Sequence, residues 1–347
     1  MLKKFILLAL LVGSLTACSG SEKPVLKVFN WGAYIDESVI SDFEDEYGVR
    51  VIYDTYDSNE LMYTKLASGE KYDILVPTDH MVERLIAENK LQELDLSKIP
   101  NMANVDPGML NRPFDPNNVY SLPYFYGNIG VIYNKTTVDL ADLEAQGWDF
   151  LHDAKYAERV YVYDSARDAF MMAYKSLGYS INTTDEAQIE EAFQWLQTMN
   201  DVTKPVYIDE TIIDAMINGE KDLAVDFSGD AAYVLSENED MGFFVPAEGT
   251  NLWTDSMVIP ADAPNPDLAH KWINYMLDNA VAQKNTEYVG YTSPVKAAFD
   301  AVTAPGGFYY GNPAYAPRLD NPLDEVHAYS EALVTILSDR WTRVKAD

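Results

Sequence analysis

Apolar extended runs alternate with capped helical segments through the first hundred residues, and this alternation leaves the chain few folds to choose from. Val25 to Trp31 has an apolar extended pattern. A helix follows, capped by Asp36 or Ser38, with Val39, Ile40, Phe43 and Tyr47 on one face and Gly48 as its stop. Val51 to Tyr56 is a second extended run. Ser58 then caps a helix carrying Leu61, Met62, Lys65 and Leu66, ended by Gly69. Tyr72 to Val76 is a third run, stopped by Pro77, and the next helix turns Met81, Val82, Leu85 and Ile86 inward. Strands that alternate with helices form a parallel sheet covered on both faces. Ligands of such sheets bind beyond the carboxyl ends of the strands. Trp31, Tyr34, Thr78, Asp79 and His80 all fall just past strand ends, so one edge is expected to carry the site.

Residues 101–118 read as loop, with Pro107, Pro113 and Pro116. Ser121 to Asn134 returns as extended chain long enough to leave one lobe and enter another. Beyond it the same logic repeats. Strands are expected at Arg159 to Tyr163, Leu223 to Phe227 and Phe243 to Pro246, and helices at Ala166 to Leu177, Ile189 to Met199, through Ala231 and Val234, and at Lys271 to Leu277. Two α/β lobes joined by more than one strand make a hinged clam with its ligand between them.

Asn251-Leu252-Trp253-Thr254-Asp255-Ser256 stands out within that plan. In an extended segment residues i and i+2 share a face, so Trp253 and Asp255 project together. A carboxylate beside an indole suits an organic cation: the first takes charge-assisted hydrogen bonds, and the second attracts the cation to its face. In an open cleft Asp255 is expected to stand in water. The net charge of −30 fits a cationic ligand and excludes nucleic acid, which needs a basic face. Paired carboxylates such as Asp168 and Asp255 also describe a secreted carbohydrate-active hydrolase. The rest of that machinery is missing, with no nucleophile elbow, no metal-spaced cluster and no phosphate loop. No catalytic residue, cofactor or metal is therefore expected.

The ordered set of short stretches resembles the polyamine-binding proteins of spermidine/putrescine ABC importers. The stretches are Asn30-Trp31 with Tyr34, Tyr56-Asp57-Ser58-Asn59-Glu60, Tyr72-Asp73 with Val76-Pro77, Pro113-Phe114-Asp115-Pro116-Asn117-Asn118 and Pro123-Tyr124. They continue with Ala166-Arg167, Leu177-Gly178-Tyr179-Ser180, Trp253 with Asp255-Ser256, and Gly290-Tyr291. The resemblance implies the α/β, two-lobed type II periplasmic-binding-protein fold, its hinged lobes each holding a mixed, mostly parallel sheet with helices on both faces. It implies a polyamine captured between the lobes, a permease as partner, a monomer, and no enzymatic activity. Carried over by position, Trp31 and Tyr34 wall the ligand, Thr78 bonds an amine, and Trp253 stacks on the methylene chain. Asp255 pairs with an ammonium, Tyr291 closes the groove, and Asp168 binds a terminal amine. Phe227 stands where a tryptophan wall is usual, and His327 falls near a polar ligand contact. Two further ligand positions depart from the pattern: Ser165 replaces an aspartate and His80 a tyrosine. One carboxylate fewer implies either a changed preference among polyamines or compensation from Asp79, Asp230 or Asp36.

The N-terminus reads as an export signal over residues 1–17, with Lys3 and Lys4 before an apolar run from Phe5 to Val12. Leu15-Thr16-Ala17-Cys18 resembles the lipobox of bacterial lipoproteins, and Cys18 is the single cysteine of the chain. Lipidation at Cys18 followed by a tether over 18–24 would hold the protein outside a bacterial membrane. The lobes are then expected at 25–128 plus 256–298 and at 129–255 plus 299–347.

Overall fold

A computed structural model describes residues 23–209 and 211–346. The expected export signal, Cys18 and the tether up to residue 22 lie outside the described residues.

The strand–helix alternation is present with its caps. Strand β1 (Val25–Trp31) leads to α1 (Glu37–Tyr47). Asp36 is the cap: its Oδ1 accepts from the Ser38 amide at 2.8 Å and the Ser38 hydroxyl at 2.6 Å, and Gly48 closes the helix at φ 65°. β2 (Arg50–Tyr56) precedes α2 (Asn59–Ala67), where Ser58 Oγ accepts from the Leu61 amide at 3.1 Å. The third strand is shorter than expected. β3 is only Ile74–Leu75: Pro77 has no N–H to extend the ladder, and Asp73 before the strand is tied to Lys27 of β1, its amide donating to the Lys27 carbonyl at 2.8 Å while its carboxylate accepts from the Lys27 and Asn265 amides. α3 (Asp79–Ala87) buries Met81, Val82 and Leu85. Residues 101–118 hold short 3-10 turns rather than a plain loop.

β4 is Ser121–Asn134, followed by α4 (Leu140–Gln146), β5 (Val160–Tyr163), α5 (Ala166–Ser176), α6 (Glu186–Thr203), β6 (Val206–Ile208), α7 (Ile212–Ile217), β7 (Leu223–Phe227) and α8 (Ser228–Glu237). β8 is Met241–Phe244, two residues earlier than expected. The chain ends with β9 (Leu252–Val258), α9 (Pro266–Met276), α10 (Asn279–Val289), α11 (Lys296–Thr303) and α12 (Glu331–Ala346).

The strands lie in the order β2-β1-β3-β9-β4-β7-β5-β6, with β8 also on β4. The outer pairs, β1 with β2 and β3, and β5 with β6 and β7, are parallel. The pairs at the centre, β3–β9, β4–β9, β4–β7 and β4–β8, are antiparallel. β4 serves both halves. Ser121 to Asn128 pair with β9, and Ile129 to Tyr133 pair with β7. Separate cores form on either side of this handover. Leu26, Val28, Phe43, Leu122 and Trp272 pack in one, and Val131, Phe170, Leu196 and Trp341 pack in the other. The strand ends and the first turns of α3, α5 and α8 therefore converge beside β4 and β9.

Candidate functional site

β9 runs antiparallel to β4 with Gly127 opposite Trp253 and Phe125 opposite Asp255. Trp253 and Asp255 thus share a face, as their spacing requires. Asp255 is not in water: it is 6% exposed. The Tyr34 hydroxyl donates to its Oδ2 at 2.7 Å, and the Thr78 hydroxyl donates to its Oδ1 at 2.7 Å. Thr78 is free to do this because its side chain does not cap α3; Asn59 Nδ2 donates to the same hydroxyl at 3.1 Å. Both donors to Asp255 are neutral. Burial pushes its carboxyl up to about 7, against the lowering effect of the two hydroxyls.

Aromatic rings surround that carboxylate. Tyr291 lies edge-on to Tyr34 at 5.3 Å and to Trp253 at 5.4 Å, and Trp253 meets Phe227 at 6.1 Å. Phe227 in turn meets Tyr163 at 5.0 Å. Trp31 rests on Tyr56 at 4.7 Å, and its Nε1 donates to the Val76 carbonyl at 2.9 Å. Two glycines let these rings approach. A Cβ at Gly127 would lie 2.4 Å from the Trp253 ring, and one at Gly229 would lie 2.4 Å from the Tyr291 ring. Trp253 Nε1 is buried and has no hydrogen-bond partner.

Thr78-Asp79-His80 leads from Asp255 to a second polar group. Asp79 accepts from the Thr254 amide at 3.1 Å and from the His80 amide at 2.6 Å, and burial pushes its carboxyl up to about 6. Ser165 caps α5, its Oγ accepting from the Asp168 amide at 3.4 Å. Asp168 Oδ1 stands 3.8 Å from His327 Nε2 and accepts from Asn251 Nδ2 at 3.5 Å. Burial raises the Asp168 carboxyl, but His327, Ser165 and Arg167 outweigh it and hold it below the ordinary range. His80 and His327 are 5% and 6% exposed, and the Nε2 of each has no hydrogen-bond partner.

The structure therefore brings Tyr34, Thr78, Trp253, Asp255 and Tyr291 into direct contact, with Phe227 against Trp253. Asp168, Ser165, His80 and His327 gather farther along. Trp31 contacts Tyr56 and Val76. Asp226 was not singled out by sequence reasoning. It is 1% exposed at the end of β7, and burial with Asp230 nearby pushes its carboxyl well up. Asp230 accepts from the Tyr291 hydroxyl at 2.7 Å. The Asp226/Asp230 spacing across a strand-to-helix junction was the available signal. Among the described residues no cluster of three or more His, Cys, Asp or Glu could hold a metal, and no helix is long and apolar enough to cross a membrane.

Residues 38–308 match the family profile of the bacterial extracellular solute-binding proteins. The spermidine/putrescine-binding periplasmic protein of Salmonella typhimurium is 35% identical, covering 82% of this chain and 81% of the relative. The putrescine/cadaverine-binding protein of Pseudomonas aeruginosa is 34% identical, over 86% of each. The solved spermidine/putrescine ABC transporter substrate-binding protein of Streptococcus pneumoniae is 36% identical, with a TM-score of 0.81 over 93% of this chain and 99% of that one.

Proposed function

Because the chain belongs to the bacterial extracellular solute-binding proteins and has the type II periplasmic-binding-protein fold, we propose that it captures a polyamine, spermidine or putrescine, and delivers it to an ABC importer. Members of this family bind solutes and are not enzymes, so the hydrolase alternative falls away.

One observation carries the reading. Asp255 is a buried carboxylate whose side-chain donors are two neutral hydroxyls, enclosed by the rings of Tyr34, Trp253 and Tyr291. A buried anion without a countercharge is expensive, and an ammonium supplies that charge. The methylene chain suits the aromatic walls. In this reading Tyr34, Thr78, Trp253, Asp255 and Tyr291 hold one amine and the chain beside it, and Trp31 and Phe227 extend the walls. Ser165, Asp168, His80 and His327 serve the other end. Asp79, Asp226 and Asp230 supply carboxylates in place of the one absent at 165.

The lobes over 25–128 plus 256–298 and 129–255 plus 299–347 would close on the ligand by bending where β4 and β9 pass between them. A monomer lipidated at Cys18, tethered through 18–24 and presented to the permease subunits completes the reading. Native mass spectrometry of freshly purified protein tests the ligand class. A bound diamine or triamine supports it, and protein that neither carries nor takes up any polyamine contradicts it.

A further inference from the structure

Tyr34 stands on a loop, residues 32–36, that joins β1 to α1. Gly32 and Ala33 are exposed, and Ala33 sits at φ 50°. A residue with a Cβ keeps that left-handed conformation only where its surroundings hold it. Here a chain of buried polar groups does so, and it ends on α10. The Tyr34 carbonyl accepts from the Tyr124 hydroxyl at 2.6 Å. That hydroxyl accepts from Asn285 Nδ2 at 3.0 Å, and Asn285 Oδ1 accepts from the Asp36 amide at 3.0 Å. One carboxamide thus ties both ends of the stretch 34–36, directly at Asp36 and through Tyr124 at Tyr34. Asn285 is 2% exposed and Tyr124 is 6% exposed, so water does not compete for these bonds. The helix behind them is itself fixed: Asp278 Oδ1 accepts from the Ala280 amide at 2.9 Å, and Lys284 Nζ donates to Asp42 of α1 at 2.7 Å.

The ring on the other side of Asp255 has a separate anchor. Thr286, the next residue of α10, donates to the Tyr291 carbonyl at 2.6 Å and lies 2.6 Å from the Tyr315 hydroxyl. Losing Asn285 therefore frees Tyr34 and leaves Tyr291 held. No other hydroxyl is placed to replace the one Tyr34 gives to Asp255. Those of Tyr56, Tyr124 and Tyr291, which all feel the Asp255 charge, are committed to Val76, Tyr34 and Asp230. Asp79 of α3 adds only like charge. Thr78 would be left as the side-chain donor.

We propose that Asn285 is a positioning residue for the amine site: it touches neither Asp255 nor the ligand, and it acts by holding the 34–36 loop so that the Tyr34 hydroxyl points at Asp255 Oδ2. The inference rests on the polyamine reading above and adds to it a residue that sets the site from behind. A hydroxyl aimed at a carboxylate favours the ionised form, and the ionised form is the one an ammonium pairs with. Once that aim is lost, Asp255 keeps its proton to higher pH, and an arriving ammonium must first displace it.

The test is calorimetric titration of the whole protein with putrescine at pH 6.5 and at pH 8.5. Tyr34→Phe removes the hydroxyl itself. It should weaken binding by about five-fold or more at pH 6.5 and by less at pH 8.5, where Asp255 is ionised in any case. Asn285→Ala should reproduce that pattern. Tyr124→Phe breaks the same chain by losing one oxygen and leaves α10 intact, so it decides the matter should Asn285→Ala fail to fold. Added to Tyr34→Phe, either change should cost about two-fold at most, since the hydroxyl they aim is already gone. A purely structural Asn285 lowers the melting temperature and leaves this pH signature unmoved. Unchanged affinity at pH 6.5 in either variant, a loss equal at both pH values, or a loss additive with Tyr34→Phe overturns the positioning role alone. A wild type that binds neither putrescine nor spermidine removes the polyamine reading beneath it.

Discussion

Asp255→Asn separates a binding carboxylate from a structural one, because the two roles predict opposite changes in stability. Asp255 is 6% exposed, and its carboxyl is pushed up to about 7 against an ordinary 3.8. At about 1.4 kcal/mol for each unit, the ionised group removes about 4 kcal/mol from folding when no cation is bound. The folded protein holds this proton more tightly than the unfolded chain does. The penalty is therefore absent below about pH 4, grows as the pH rises to about 7, and is complete above that. Asparagine keeps the shape and an acceptor for one hydroxyl but carries no charge. At pH 8 the ligand-free variant should melt several degrees above the wild type. At pH 4.5 the two should nearly coincide. Binding should move the other way. Removing one partner of a buried charged pair costs about 2–5 kcal/mol, so polyamine affinity should fall by roughly thirty-fold to several thousand-fold. Thermal melts without ligand at both pH values, with calorimetric titration of putrescine and spermidine, measure both effects. Normal polyamine affinity, or a lower melting temperature at pH 8, would refute the reasoning.

The same buried carboxyl makes binding release a proton. An ammonium stabilises the ionised form, so at pH 6.5 the heat of binding should differ between buffers of different ionisation enthalpy, and affinity should climb from pH 5.5 to 8; buffer-independent heats would count against it. Ser165 caps α5, and aspartate is an equally good cap, so Ser165→Asp should fold normally while adding a carboxylate beside Asp168. It should raise affinity for spermidine more than for putrescine, and an equal change for both ligands would place residue 165 away from the additional amine. Cys18→Ser should release the protein from membranes without altering ligand affinity; a variant that stays bound after a high-salt wash would rule out the lipid anchor.

The parts of this fold that depend on near neighbours were legible in the sequence. Asp36 and Ser58 cap the helices they precede, Gly48 closes α1, and Ser121–Asn134 is one continuous strand. Each outcome depends on a few adjacent residues and on whether apolar side chains recur with a period of two or near 3.6. The shared face of Trp253 and Asp255 was legible for the same reason. Short or less regular segments were not: β6, α7, α10, α11 and α12 carry patterns that only their packing partners resolve.

What surrounds Asp255 was decided by tertiary structure. The hydroxyls that reach it belong to Tyr34 and Thr78, 221 and 177 residues away, and they meet it because β9 lies between β3 and β4 in the sheet. The sequence reading left this carboxylate in water, and the strand order buries it. His80, Asp168 and His327 likewise converge from three separate segments, and Asp226 meets Asp230 only once a strand gives way to a helix. By itself the sequence determined which residues were chemically suited to a cation and which face of a strand they share. Their distances, and the burial that sets their charge, came from the packing of segments far apart in the chain, because desolvation and Coulomb interactions depend on what lies within a few ångströms and not on separation along the backbone.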